Sequence, residues 1–286
     1  MALRSDAQLF DGAGVGRGSN DSLNKRREKV FVTLYSTQDP DLQPLRSKWH
    51  RVLATLCSQP YDDVKVKLRG GRSANYDFEV TFLANSVPVH TVNAEFKHNA
   101  KSIDKLPQYF SPGADKQYLP RLYADVFYDS LDQICDIYPG LSAHKPDRET
   151  YIHTVHNNSY DRHPFFRNLY DMEAAGTPDQ ARRKQTIVRN SIGVYLTEYA
   201  DKLNLQLLSS DIQDRQLGKT FILWDLNDFR VDALRPDELV ITHVERIKNK
   251  NTIVAVSKAG TKHNMLLRWK NHLGILYPAW QISLTR

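Results

Sequence analysis

From Asp21 the apolar positions fall at helical spacing: Leu23, Val30, Phe31 and Leu34 fit one face, and Asp21 or Ser22 can cap it. After the breakers Pro40 and Pro44 a second helix is predicted, because Leu42, Leu45, Trp49, Val52, Leu53 and Leu56 recur at intervals of three and four. The period then changes to two. Val64, Val66 and Leu68 alternate with Lys65, Lys67 and Arg69, as in a half-exposed strand, and Gly70-Gly71 supplies a turn. Residues 76–83 (YDFEVTFL) read as a second strand, Asn85-Ser86 with Pro88 breaks it, and 89–97 (VHTVNAEFK) returns as a third, which makes a meander. Helical spacing resumes at Ile103 and again from Leu119 to Tyr138. Residues 139–185, rich in His, Asn, Asp and Pro, read as a long irregular insertion. After a helix over 186–203, the segments LNLQLLSS, KTFILWDL and DFRVDAL and those that follow read as strand. Turns are expected at Asn249-Lys250-Asn251, Ala259-Gly260 and Asn271.

This order predicts an α/β or α+β class, a mixed sheet flanked by helices with a strand-rich C-terminal region. Residues 1–20 read as a flexible arm. Gly12, Gly14, Gly16 and Gly18 have no apolar strand before them and no lysine where a phosphate-binding loop needs one. Residues 21–203 are the expected core, and 204–286 form a basic strand-rich region, separate or part of the same domain. A chain of 286 residues with 41% hydrophobic residues can bury a sizeable core, which excludes wholesale disorder. Two cysteines exclude a disulfide framework. With no apolar run long enough to span a bilayer and no apolar leader at the N-terminus, they predict an intracellular chain without membrane contact.

Charge sharpens this picture once it is located. Over 240–286 eight basic residues face one acid, Glu245, and a second basic run, Lys65, Lys67, Arg69 and Arg72, precedes the second strand. Localised positive charge favours a polyanion, because each neutralised phosphate releases condensed counterions. The alternative is a solvated basic face.

The residues that could do chemistry lie on the meander. Glu95 and Lys97 project to one face of the third strand while Phe96 points into the core. The hairpin can bring Asp77 beside Glu95. Two neighbouring carboxylates repel, and a divalent cation is the natural neutraliser. Mg²⁺ needs only one or two carboxylates with waters and substrate phosphates, and a nearby ammonium can orient an attacking water. All three side chains are expected near a hydrated strand end, where truncation would spare the fold. The bland alternative is a surface ion pair of Glu95 with Lys97 or Lys67.

Asp77 followed by Glu95-Phe96-Lys97 resembles the motif of the PD-(D/E)xK nuclease superfamily, the fold of many restriction endonucleases. The resemblance covers about residues 61–110, with Tyr76 where the motif has proline. It implies that Asp77 and Glu95 bind Mg²⁺, with Mn²⁺ as substitute, that the Phe96 backbone carbonyl can add a ligand, and that Lys97 assists the nucleophilic water. Glu28 on the upstream helix and Glu79, which shares a face with Asp77, are alternate ligands. The function implied is a Mg²⁺-dependent endonuclease hydrolysing phosphodiesters of DNA, expected to be double-stranded, a type II restriction endonuclease being one form; a homodimer is left open. Candidate contacts to nucleic acid are Lys65, Lys67, Arg69 and Arg72. Lys101 and Gln108 join them on the helix expected after the motif, and Lys258, Lys262, Arg268 and Lys270 near the C-terminus.

Two alternatives stand beside this reading. One is a non-catalytic nucleic-acid-binding protein with a structural acid–lysine cluster. The other is a zinc hydrolase using His153, His156 and His163, whose spacing suits Zn²⁺ but which lacks the general-base glutamate of zinc proteases.

Overall fold

The alternating segments 63–68, 78–84 and 87–98 do become a meander. In a computed structural model describing residues 6–11, 17–70, 74–104, 108–110, 117–156, 163–225, 227–272 and 275–286, they are strands β1 (Asp63–Leu68), β2 (Phe78–Ala84) and β3 (Val87–His98). The β2–β3 turn places Asn85 and Ser86 at φ 52° and 65°, the left-handed geometry that a two-residue hairpin loop requires. The chain is mixed α/β and divides into two compact units, each assembled from two stretches: Met1–Ile103 with Asp214–Arg235, and Asp104–Gln213 with Pro236–Arg286.

The first unit is a five-stranded sheet in the order β1-β2-β3-β5-β6, where β5 is Lys219–Asp225 and β6 is Asp228–Ala233. All neighbours are antiparallel except β3 and β5. Val64, Val66, Phe78, Val80, Val92, Ala94 and Phe96 line one face, and are buried with Phe31 of α1 (Arg17–Leu34) and Trp49 of α2 (Gln43–Leu56). Phe31 packs 5.0 Å from Phe78, 4.9 Å from Trp49 and 5.1 Å from Phe96 by ring centroid.

The N-terminal arm departs from expectation. Ala7–Phe10 form a 3-10 turn whose Leu9 and Phe10 are buried. Phe10 meets Phe96 and Trp224 edge-on, and its carbonyl accepts from the Trp224 indole N–H at 2.9 Å. Gly12, Gly14 and Gly16 lie outside the described residues. Phe10→Ala is expected to cost about 3–5 kcal/mol in denaturant unfolding. A free arm would give no change.

The second unit holds the other five-stranded sheet, antiparallel throughout: β4 (Gln108–Phe110), β10 (Ile275–Thr285), β9 (Lys262–His272), β8 (Thr252–Ser257) and β7 (Ile241–Lys248), in that order. Short helices α3 (Tyr123–Tyr128) and α4 (Leu131–Cys135) bury Phe127, Leu131 and Ile134 with Tyr151 of α5 (Arg148–His156). The irregular insertion expected over 139–185 is mostly helix, with α6 (Pro164–Ala175) and α7 (Pro178–Tyr199). Pro164 and Pro178 stand at the first helical turn of α6 and α7, where a missing N–H costs nothing. Thr177 and Gln180 cap each other reciprocally at the start of α7.

LNLQLLSS is not a strand but the start of α8 (Leu205–Gln216). Asn204 caps it by accepting from Leu207 N–H at 2.9 Å, and Leu208 and Ile212, four apart, are buried. The helix expected from Ile103 is absent among the described residues: bends at 101–103 lead toward β4. Of the basic region expected over 204–286, β5 and β6 belong to the meander's sheet, and Pro236–Arg286 falls in the second unit. Cys57 and Cys135 are both free and buried. Among the described residues no helix is long and apolar enough to cross a membrane.

Candidate active site

Asp77 stands one residue before β2 and is fastened by its backbone. Its N–H donates to Ala94 O at 3.0 Å, and its carbonyl accepts from Arg69 and Gly70 N–H at 2.8 and 3.1 Å. Phe78 pairs with Ala94, so Asp77 falls beside Glu95 at the end of the ladder. The Asp77 carboxylate accepts from Phe96 N–H at 2.8 Å. Along a strand, N–H and C=O of one residue share a direction, so the Phe96 carbonyl turns to that same edge. The Phe96 ring points the other way, into the core, at 4% exposure.

Glu95 is 6% exposed. Lys97 Nζ lies 2.5 Å from its Oε1, and Lys219 Nζ lies 2.7 Å from its Oε2. Lys219 opens β5 and reaches this position because β5 runs parallel to β3, with Asn93 opposite Lys219. Burial pushes the Glu95 carboxyl up, but the Lys97 and Lys219 ammonium groups outweigh it and hold the group below the usual range. Burial raises Asp77, against the Phe96 N–H, and the Glu95 charge adds to the rise.

Glu28 on α1 is the third acid. It is half-buried, and burial followed by repulsion from Asp77 pushes its carboxyl up to about 7, with Glu95 contributing and Lys25 and Lys97 pulling back. Asp77, Glu95 and Glu28 therefore form one electrostatic cluster with two lysines. A carboxyl that titrates near 7 folded and near 4.5 unfolded holds an extra proton only in the folded chain between those values. Its stabilising contribution is full below about pH 4.5 and is lost as pH rises through about 7. Glu28→Gln is thus expected to raise Tm of the metal-free protein at about pH 8 and leave it nearly unchanged at about pH 4; equal shifts at both pH values would contradict this coupling.

The expectation that all three motif side chains sit in water is corrected here. Glu95 is buried together with Lys219, whereas Asp77 and Lys97 are partly exposed, Lys97 at 28% of its side chain. Glu79 is on the same face, between Lys67 and Asn93 in register, but Arg69 holds it at 3.1 Å. Lys65 and Lys67 are exposed on that face, and Lys101 is exposed in the bend after β3. Arg72 lies outside the described residues.

Several expected nucleic-acid contacts belong to the second unit. Lys258 pairs with Asp237 at 3.1 Å and Lys262 with Glu245 at 2.8 Å, so much of the C-terminal charge is matched locally. Arg268 donates to the Gln281 side chain at 2.7 Å. Gln108 is in β4 and Lys270 in β9, and their side chains lie outside the described residues. Of the three histidines, His153 is exposed on α5 and His163 caps α6 by accepting from Phe165 N–H at 3.2 Å, while the His156 side chain lies outside the described residues.

Among the described residues no group of three or more His, Cys, Asp or Glu side chains is placed to hold a metal ion. Asp77, Glu95 and the Phe96 carbonyl are all hard oxygen donors, and such a sparse set suits Mg²⁺, which keeps most of its waters. A soft or imidazole-preferring metal has no donors here. Neither a protein-family model nor a curated protein sequence matches the chain. What the site can do is read from its own geometry.

Lys219 is the residue that sequence reasoning missed. A lysine heading an apolar strand was visible, but nothing local says that it pairs with a carboxylate 124 positions away.

Proposed function

We propose that this chain is a Mg²⁺-dependent endonuclease of the PD-(D/E)xK kind, cleaving phosphodiester bonds of DNA. The observation that carries the reading is the strand-end cluster: Asp77 on Phe96 N–H, Glu95 beside it, and Lys97 against Glu95. Support also comes from Glu28, which shares the field of both acids although it lies on α1.

Asp77, Glu95 and the Phe96 carbonyl would hold the cation, with Glu28 facing them. When bound, Mg²⁺ supplies a Lewis acid for the phosphate and an acidified water. The protein's part is positional. Phe96 N–H fixes the Asp77 carboxylate through Oδ2, which leaves Oδ1 for the cation. Lys219, held in the buried strand β5, keeps Glu95 ionised and aimed. Lys97 is the more exposed ammonium, so it is the one free to turn from Glu95 toward a water or phosphate oxygen. There it can accept the role of orienting the nucleophile and offsetting charge that develops in the transition state.

A second reading, a nucleic-acid-binding protein with a structural acid–lysine cluster, has one observation in its favour: both Glu95 oxygens already carry a lysine. Metal dependence separates the two. Cleavage of supercoiled plasmid is expected in Mg²⁺ or Mn²⁺ and to stop in EDTA. Ca²⁺, which takes more and longer oxygen contacts, should support binding without turnover. Undiminished cleavage after exhaustive chelation would sink the carboxylate mechanism, and retained DNA binding without cleavage in any metal would favour the second reading.

A further inference from the structure

In the second unit Lys258 and Lys262 are paired with carboxylates, whereas other basic side chains there are not. A cleft of about 470 Å³ opens between α7 and β9. Arg182 and Arg189 line it from the helix and Arg268 from the strand, with the neutral polar side chains of Gln185 and Asn251 between them. No carboxylate is among the described residues that line it.

Arg182 has a single exposed partner, Asp179 at 3.2 Å, an interaction worth little in water. Arg268 spends one N–H on the uncharged Gln281 and makes no ion pair among the described residues. The Arg189 side chain has no ion pair or hydrogen bond among the described residues. Gly193 of α7 packs closely on the β7–β8 turn: a Cβ there would come within 3.2 Å of Lys250 Cβ.

Three guanidinium groups line this cleft with no carboxylate among its described lining residues, which favours an anion there, and Arg presents the fork that fits phosphate oxygens. Arg182 and Arg189 are seven residues apart, so two helical turns and about 10 Å separate them along α7. One phosphate cannot satisfy both. We propose that this cleft is a docking site for the phosphodiester backbone of a nucleic acid, engaging separate phosphates through Arg182 and Arg189 on one wall and Arg268 on the other. The site deepens the nuclease reading and rests on it for the choice of polymer; it adds α7 to a footprint that charge counting had assigned to the C-terminal strands.

The test is equilibrium binding of the full chain to a labelled 20-bp DNA duplex in Ca²⁺, at several salt concentrations between 50 and 200 mM. Arg182→Glu/Arg189→Glu is compared with wild type, with Arg182→Lys/Arg189→Lys and with Lys258→Glu/Lys262→Glu. Both α7 arginines are exposed, so neither double variant disturbs the core. Losing two phosphate contacts should lower the log–log salt slope by about 2 and weaken binding about tenfold or more at 100 mM salt. The lysine-for-arginine variant should keep the slope, and the Lys258/Lys262 reversal should have the smaller effect. Unchanged slope and affinity in Arg182→Glu/Arg189→Glu, or no duplex binding by wild type, would overturn the proposal. Saturable binding of inorganic phosphate below 1 mM, with duplex affinity unaffected by the reversal, would make the cleft a small-anion site and overturn it too. Cleavage in Mg²⁺, read separately, keeps the two ideas apart. Cleavage with unchanged slopes would leave the nuclease standing and remove the cleft, and slope loss without cleavage would do the reverse.

Discussion

Asp77→Asn, Glu95→Gln and Lys97→Ala are each expected to lower DNA cleavage by about 10²- to 10⁴-fold, the range that one positioned proton-transfer or electrostatic group contributes. The amide replacements preserve shape while removing the charge that would bind Mg²⁺. Glu79→Gln is the discriminating control. Glu79 shares the face of Asp77 but is committed to Arg69, whereas Asp77 is aimed along the strand edge by Phe96 N–H. Glu79→Gln should therefore keep most of the activity. An inactive Glu79→Gln beside an active Asp77→Asn would show that the wrong acid had been assigned.

The second large effect concerns stability, and it sets which Glu95 variant can be used. Glu95→Ala strands Lys219, an ammonium at 4% exposure whose ion partner is Glu95. An uncompensated buried charge typically costs about 3–5 kcal/mol. Glu95→Ala is expected to lose that much in urea unfolding at about pH 7, and adding Lys219→Met should recover most of it, because methionine fills similar space without a charge. Lys97→Ala should cost far less, since Glu95 keeps Lys219 and the Lys97 amine already meets solvent. If the Glu95→Ala and Glu95→Ala/Lys219→Met proteins unfold at the same urea concentration, the buried pair is not what holds this edge of the sheet.

The parts of this architecture that sequence reading reached are those whose signal is local. The period of two from Val64 to Lys97 is dictated by one buried and one exposed face of β1–β3, and the Asn85-Ser86 turn follows from the backbone geometry of a two-residue loop. For the same reason the Glu95-Phe96-Lys97 alternation was legible: Phe96 enters the core while its neighbours stay on the other face. Asn249-Lys250 likewise marks a turn, with φ 53° and 62°.

Elements were misread where one residue type serves two purposes. Pro164 and Pro178 looked like breakers but open α6 and α7, because a proline is harmless where no intrahelical N–H bond is made. LNLQLLSS alternates as a strand does over its first residues, yet Asn204 caps a helix whose buried positions are spaced by four. Phe10 ends a short segment of mixed polarity, and only the tertiary packing around Trp224 makes it an anchor. Lys219 is the far limit of local reading. Its partner is set by parallel pairing of β5 with β3 across the intervening Asp104–Gln213 stretch of the second unit, and no periodicity in either segment encodes that choice.

The most direct test of the central claim is one incubation series. Wild-type protein and Glu95→Gln, purified identically, are mixed with duplex DNA and with RNA of matched length, in Mg²⁺ and in EDTA. The account predicts cleavage of DNA by wild type in Mg²⁺ alone, leaving ends generated by phosphodiester hydrolysis, and none by Glu95→Gln under any condition. Equal cleavage by the two proteins, or none by wild type in Mg²⁺ or Mn²⁺ while the protein is folded, would contradict it.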